Sequence, residues 1–411
     1  MKAINKNHDD FILKLRQHSA IKKLKKYILW QRRRRSFGNS PAAESADGFL
    51  EGPISVNLDI TQFCNFSCGH CVDSGILNVG SEYSVDEAKG IMDVLVSRGL
   101  KSVILIGGGE PLCHSEFESI VRYIKSLGLQ LGIATNGSYL PKLINIADCL
   151  KERDWMRFSI DAGSDKTYQL IHKPKNRISL LDVASGVKHI KKINSKVSVG
   201  FSYIIFWQGC KIGERLLAEN IDEMAEAVEL AVQNQFDYIT FKPCLIKSDF
   251  TADRETLLFR APKEYIKSLR ERIGQGLAEA KKTAQNSIKV NESINLQAIL
   301  KGDLDNLKIQ PRNCHSQFFR QVISPIGIYH CPAYRGSPKA FIVPKDGYQS
   351  EHKFKETVIR NTKLMSEFDA SRECKEIVCF YNRLNWWVED LIKSNKDVDS
   401  IEAVEDENFF L

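Results

Sequence analysis

The sequence predicts an α/β protein built on a parallel β-sheet. Six apolar, β-branched runs recur at 55–61, 102–107, 130–135, 155–160, 196–205 and 237–241, with amphipathic helical stretches between them. Runs that are apolar nearly throughout, alternating with helices, are what a parallel sheet covered on its faces requires. Short polar residues and glycines collect just after the runs, where parallel sheets of either open or closed form bind ligands. The residues alone leave two architectures open, a doubly wound sheet and a partial barrel.

The elements follow in order. Residues 12–35 predict a helix with Ile21, Leu24 and Ile28 on one face and Lys22, Lys23, Lys25, Lys26, Arg32, Arg33, Arg34 and Arg35 elsewhere. A Gly-, Ser-, Pro- and Ala-rich stretch at 36–48 predicts a linker, so 1–49 forms a basic helical arm. Twelve Lys or Arg and four acids fall in residues 1–50, a balance of +8 in a chain whose total is +7. The body is therefore near neutral and offers no nucleic-acid surface of its own. The arm either docks on the body through its apolar stripe or meets an anionic partner such as lipid, nucleic acid or an acidic peptide.

The α/β core is expected over 50–261. Its first helix opens at Ser84 with Glu87 three residues on, a capping box ahead of Ile91, Val94 and Leu95. Further helices are expected near 116–127, 143–150, 181–193 and 221–233. Bridging helices over 262–310 begin with a long polar helix at 262–283. A Pro- and Gly-containing region with four cysteines follows at 311–390, then an acidic tail at 391–411, expected to be solvated and mobile or else to pair with the basic arm. The longest apolar run, 197–207, is far below the roughly 18 residues of a membrane span. Eleven cysteines without a secretory signal at the start predict a reducing, cytoplasmic setting.

Cys64, Cys68 and Cys71 lie in one eight-residue segment, Cys-Asn-Phe-Ser-Cys-Gly-His-Cys, directly after the first strand. Three thiolates from one loop can hold three irons of a [4Fe–4S] cube and leave the fourth open for chemistry. A zinc loop more often draws pairs of ligands from two places. Next comes Gly107-Gly108-Gly109-Glu110-Pro111 at the end of the second strand, where glycines let the backbone approach a ligand. No Gly-Lys-Ser/Thr follows, which disfavours a phosphate loop. Thr135-Asn136-Gly137 ends the third strand and Ser159-Ile160-Asp161 the fourth; caps and turns use the same residues. The sixth strand ends in Phe241-Lys242-Pro243-Cys244, close to where a ligand would lie.

Spacing, preceding strand and motif order together resemble the radical S-adenosylmethionine superfamily over roughly residues 55–245, and more weakly over 311–385. The resemblance implies a partial TIM barrel, (β/α)6, with a small C-terminal iron–sulfur extension. It implies that Cys64, Cys68 and Cys71 hold a [4Fe–4S] cluster whose open iron takes S-adenosylmethionine, cleaved reductively to a 5′-deoxyadenosyl radical. His70 stands where the family usually has an aromatic residue and would pack on adenine. Gly107, Gly108, Gly109, Glu110 and Pro111 would address the cofactor's amino group, and Asn136, Ser159 and Asp161 its ribose or carboxylate. A reductant such as flavodoxin or ferredoxin is implied as partner.

Cys314, Cys331, Cys374 and Cys379 resemble the ligands of a SPASM or shortened twitch extension and imply a second, auxiliary [4Fe–4S] cluster. Gly327 precedes Cys331 by one residue fewer than the family's usual spacing, and a four-cysteine zinc site is the alternative. Of the remaining thiols, Cys113 and Cys210 lie near the catalytic rim as candidate hydrogen-atom donors, while Cys149 reads as a buried hydrophobe. The expected function is a radical oxidoreductase or modifying enzyme acting on a sugar-like small molecule. The alternatives are a peptide- or protein-modifying maturase and, in another class, a non-catalytic iron–sulfur electron carrier.

Overall fold

The computed structural model describes residues 9–36, 49–212, 215–244, 263–375, 377–394 and 396–411. The expected linker at 37–48 lies outside them. All six expected strands form: β1 (Ser55–Leu58), β2 (Ser102–Leu105), β3 (Gln130–Thr135), β4 (Trp155–Ser159) and β5 (Ser198–Ile205), then, after a separate small hairpin of β6 (Lys211–Ile212) and β7 (Arg215–Leu216), β8 (Tyr238–Pro243). Each main strand pairs parallel with the one before it.

The sheet runs on past both ends of the expected core. β9 (Lys289–Glu292) adds in parallel to β8, and β10 (Arg320–Ser324) adds in parallel to β1. β11 (Gly327–Tyr329) and β12 (Phe341–Val343) continue antiparallel from β10. The sheet order among the described residues is β12-β11-β10-β1-β2-β3-β4-β5-β8-β9. The segment expected to hold only bridging helices thus carries a strand, and the cysteine-bearing extension is joined to the core by a shared sheet. β9 reads Lys-Val-Asn-Glu, without the apolar run of the central strands, and draws its pairing from the open edge of β8.

The two faces of the sheet differ. Met156, Phe158, Val199, Phe201, Ile239 and Phe241 point to the helices and join the main apolar core. On the opposite face Ile104, Ala134, Trp155 and Tyr238 form a smaller cluster with Phe410 from the chain's last residues. Two glycines shape this inner face: a Cβ at Gly132 would stand 2.3 Å from the Trp155 ring, and one at Gly200 would stand 1.9 Å from Tyr238. Both rings therefore lie over neighbouring strands and floor the lumen of a partial barrel. The capping box at Ser84 and Glu87 forms as expected and opens the helix Val85–Ser97.

The basic arm docks. It forms two helices, Phe11–Arg16 and His18–Ser36, broken at Gln17, whose side chain donates to Lys14 O and Asn408 O at 3.0 and 2.7 Å. Leu24, Tyr27, Ile28 and Trp30 pack with Phe318, Phe319, Leu384 and Val388. Much of its charge is spent inside the chain: Arg35 pairs with Glu389 at 2.7 Å, Lys25 with Asp399 at 3.2 Å, and Arg32 donates to Leu391 O and Lys396 O.

The acidic tail corrects an expectation. It is not a solvated end: Phe409, Phe410 and Leu411 are buried, Val404 bridges to Gln17, and Asp406 accepts from Ser19 N. Composition weighed Asp397, Asp399, Glu402, Glu405, Asp406 and Glu407 heavily, but burying Phe410 in the barrel floor and Phe409 and Leu411 in the cluster around the arm outweighs exposed charge.

Candidate functional site

The cysteine loop leaves the carboxyl end of β1 and is pinned to the helix Asp165–His172. Ser67 N donates to His172 O at 3.3 Å and Gly69 N to Ile171 O at 3.1 Å. Cys64, Cys68 and Cys71 are all free thiols, and the charges of Cys71 and Cys64 both act on Cys68. Burial, then the Asp73 carboxylate, pushes Cys71 up to about 12.

His70 and His172 converge on Asp161. Their Nε2 atoms stand 3.4 and 3.2 Å from Asp161 Oδ2, and Asp161 Oδ1 accepts from Ile204 N at 2.6 Å. Burial alone would raise this carboxyl, but hydrogen bonds from His172 and His70 overcome it and hold the group well below the usual range. His172 Nε2 also lies 2.8 Å from Ile160 O, while its Nδ1 lies 3.3 Å from Cys68 Sγ. The ligand atoms of His70, Asp161 and His172 lie within 4.8 Å of one another, and the Ile160 carbonyl shares His172 Nε2 with Asp161. The His70 ring packs against Phe206 with centroids 5.1 Å apart.

Gly107, Gly108 and Gly109 are demanded by packing. A Cβ at Gly107 would meet the Arg335 guanidinium at 2.8 Å, at Gly108 the Asp59 carboxylate at 2.6 Å, and at Gly109 Thr61 O at 2.4 Å. Gly107 and Gly108 also have φ of +63° and +67°. Arg335, from the C-terminal extension, reaches across the sheet to Asp59 (2.6 Å) and Asp73 (2.8 Å), and Asp73 accepts from Gly108 N at 3.1 Å. This buried ion cluster ties the extension, the cysteine loop and the glycine turn together. Pro111 opens a short 3₁₀ turn capped by Glu110. Glu110 accepts from Thr135 Oγ1 (2.5 Å), Asn136 N (2.7 Å) and Leu112 N (3.1 Å), and burial raises its pKa to about 7. Asn136 in turn donates to Asn65 Oδ1 at 2.9 Å. Ser159 sits on the lumen face of β4, in register with Ser202.

Cys314, Cys331, Cys374 and Cys379 come together although they span 66 residues of sequence: each of Cys374 and Cys379 feels the charges of Cys314 and Cys331. Burial raises the thiols of Cys314, Cys374 and Cys379, Cys314 to about 11. Thiolates around one zinc stand about 3.8 Å apart, since Zn–S bonds of about 2.3 Å meet tetrahedrally. Among the described residues no three ligand atoms of either cysteine set lie within 4.8 Å of one another.

Of the two candidate donors, Cys113 lies beside the loop, its Sγ 3.7 Å from Asn65 Oδ1 and within reach of the Cys64 charge. Cys210 is buried in the main core instead. Asp59, Asp73, His172 and Arg335 had not been singled out from sequence. Only Arg335, four residues after Cys331, and Asp73, two after Cys71, carry even a positional signal.

Residues 58–207 match the sequence profile of the Radical SAM superfamily. The chain carries a radical SAM domain, a fold that binds a [4Fe–4S] cluster and S-adenosylmethionine. It is 36% identical over 114 residues to an S-adenosylmethionine-dependent nucleotide dehydratase of Selenomonas ruminantium, covering 27% of this chain and 40% of that protein. It is 25% identical over 186 residues to the mycofactocin maturase MftC of Mycolicibacterium smegmatis, covering 45% and 43%. The chain thus spans less than half the length of either relative. In fold it is similar to SuiB of Streptococcus suis, with a TM-score of 0.51 at 15% identity over 74% of this chain and 65% of that one.

Proposed function

We propose that the protein is a radical enzyme that acts on a small molecule, with Cys64, Cys68 and Cys71 holding the cofactor-binding cluster. When bound, the cluster and S-adenosylmethionine supply reductive cleavage to a 5′-deoxyadenosyl radical, which takes a hydrogen atom from substrate. The observation that carries this reading is the convergence of the three free thiols beside the glycine turn, at the carboxyl ends of β1 and β2. The residues then divide the work. Gly107, Gly108 and Gly109 bring bare backbone to the rim. Glu110 locks the ends of β2 and β3 in position, and Pro111 starts the turn that buries it. Asn136 and Ser159 offer polar groups toward a ribose or carboxylate. His70, steadied by Asp161, presents its ring to adenine.

Cys314, Cys331, Cys374 and Cys379 hold a second cluster with every corner ligated, suited to passing electrons rather than binding substrate. Oxidation of substrate would return an electron through it to a small redox protein such as flavodoxin or ferredoxin. A small substrate is favoured by the aromatic floor of Trp155, Tyr238 and Phe410, which limits the depth of the lumen. In the docked arm Lys25, Arg32 and Arg35 are engaged within the chain, which leaves fewer cations with which to capture a peptide.

Anaerobically reconstituted protein with dithionite should release 5′-deoxyadenosine from S-adenosylmethionine, read by mass spectrometry. Cys64→Ala, Cys68→Ala and Cys71→Ala should each abolish it; cleavage retained in all three refutes the site. Cys379→Ser should lower iron from about eight to about four per chain, and unchanged iron refutes the second cluster.

A further inference from the structure

We propose that Arg157 and Lys242 form an anion-binding subsite in the barrel lumen, and that the substrate carries a carboxylate or phosphate held there. The proposal rests on the lumen being the substrate site. Strand alternation sets the geometry. On β4, Met156 and Phe158 enter the helical core while Trp155, Arg157 and Ser159 face the other way; on β8, Ile239 and Phe241 enter the core while Tyr238, Thr240 and Lys242 face the other way. Trp155 and Tyr238 are the floor. Arg157 therefore stands two residues above Trp155, and Lys242 four above Tyr238, on the side that the glycine turn and cysteine loop overlook.

Between their levels runs a row of hydroxyls. Ser159 pairs in register with Ser202, and Ser202 with Thr240, across three adjacent strands and on this same face. A row of hydroxyls between two cations is an arrangement for an oxyanion attached to a polar body.

The two cations are also held for use. The Arg157 guanidinium lies over the Trp155 ring, 5.2 Å from its centroid, a contact that braces it without using its N–H groups. Among the described residues neither Arg157 nor Lys242 has a hydrogen-bond or ion-pair partner. Two carboxylates act on Lys242 from a distance, Asp9 of the docked arm and Asp161 at the rim; neither pairs with it, and Asp161 is committed to His70, His172 and Ile204 N. Burial, then the Arg157 charge, lowers the Lys242 pKa to about 7, so the two groups sense each other. Two like charges brought together out of water are unfavourable without a counter-charge. An anion bridging them supplies it.

The experiment uses reconstituted, S-adenosylmethionine-bound protein titrated calorimetrically with inorganic phosphate and, separately, acetate. Arg157→Gln and Lys242→Gln are the variants, Arg157→Lys is the charge-preserving control, and iron content equal to wild type shows that each has folded. At least one anion should bind the wild type. Either Gln variant should weaken it about ten- to a hundredfold, as loss of a charge-assisted hydrogen bond does, with Arg157→Lys intermediate. Phosphate binding alone points to a phosphate ester, and acetate binding alone to a carboxylate. The proposal is overturned if neither anion binds, if binding survives both Gln variants, or if the variants weaken S-adenosylmethionine to the same degree, since the pair would then serve the cofactor. Wild-type protein that takes up no iron would instead overturn the reading of the site above.

Discussion

His172→Leu should lower the reduction potential of the N-terminal cluster. The ring's Nε2 faces Ile160 O at 2.8 Å and Asp161 at 3.2 Å, and its Nδ1 faces Cys68 Sγ at 3.3 Å. As an iron ligand Cys68 has no proton to give, so that contact must be donation from Nδ1 to sulfur. A hydrogen bond to a charged group contributes about 1.5–3 kcal/mol. If roughly half of that is felt only after the cluster gains its electron, the differential is about 1 kcal/mol. At about 59 mV per 1.4 kcal/mol for one electron, this corresponds to a fall of roughly 40 mV. His172→Gln, which keeps a neutral donor, should recover part of it. The assay is a redox titration followed by electron paramagnetic resonance without S-adenosylmethionine. An unmoved midpoint in His172→Leu, with iron content intact, would refute the reasoning.

Three other outcomes are expected. Glu110 is raised from 4.5 to about 7, so the folded state holds its proton more tightly. That stability is fully present below about pH 4.5 and lost as pH rises through about 7, roughly 3 kcal/mol in all; urea unfolding of metal-free Glu110→Gln should lack this slope, and an identical slope would exclude Glu110 as its source. Phe410→Ala empties part of the barrel floor and should cost about 3–5 kcal/mol, seen as a lowered midpoint of denaturation; no change would mean the tail does not close the lumen. Arg335→Met leaves Asp59 and Asp73 buried without their cation and should destabilise by about 3–5 kcal/mol, whereas a thermal midpoint equal to wild type would show that water reaches the pair.

The core was legible where burial on both faces forces a continuous apolar run: β1 to β5 and β8 were all found. β9 was not, because an edge strand tolerates polar residues and draws its pairing from a neighbour. The helix Asp165–His172 escaped for its brevity, and with it His172. The cysteine loop and glycine turn could be read because their chemistry lies in consecutive residues. The Arg335–Asp59–Asp73 cluster could not, since it joins positions separated by up to 276 residues and only the shared sheet brings them together. The tail misled because charge counts record what faces water and ignore what the last three side chains cover.

The most direct test is the electron paramagnetic resonance spectrum of dithionite-reduced protein before and after adding S-adenosylmethionine. An iron left without a protein ligand by Cys64, Cys68 and Cys71 predicts that the N-terminal cluster's signal shifts when the cofactor is added. A signal that is identical in both samples would contradict the account.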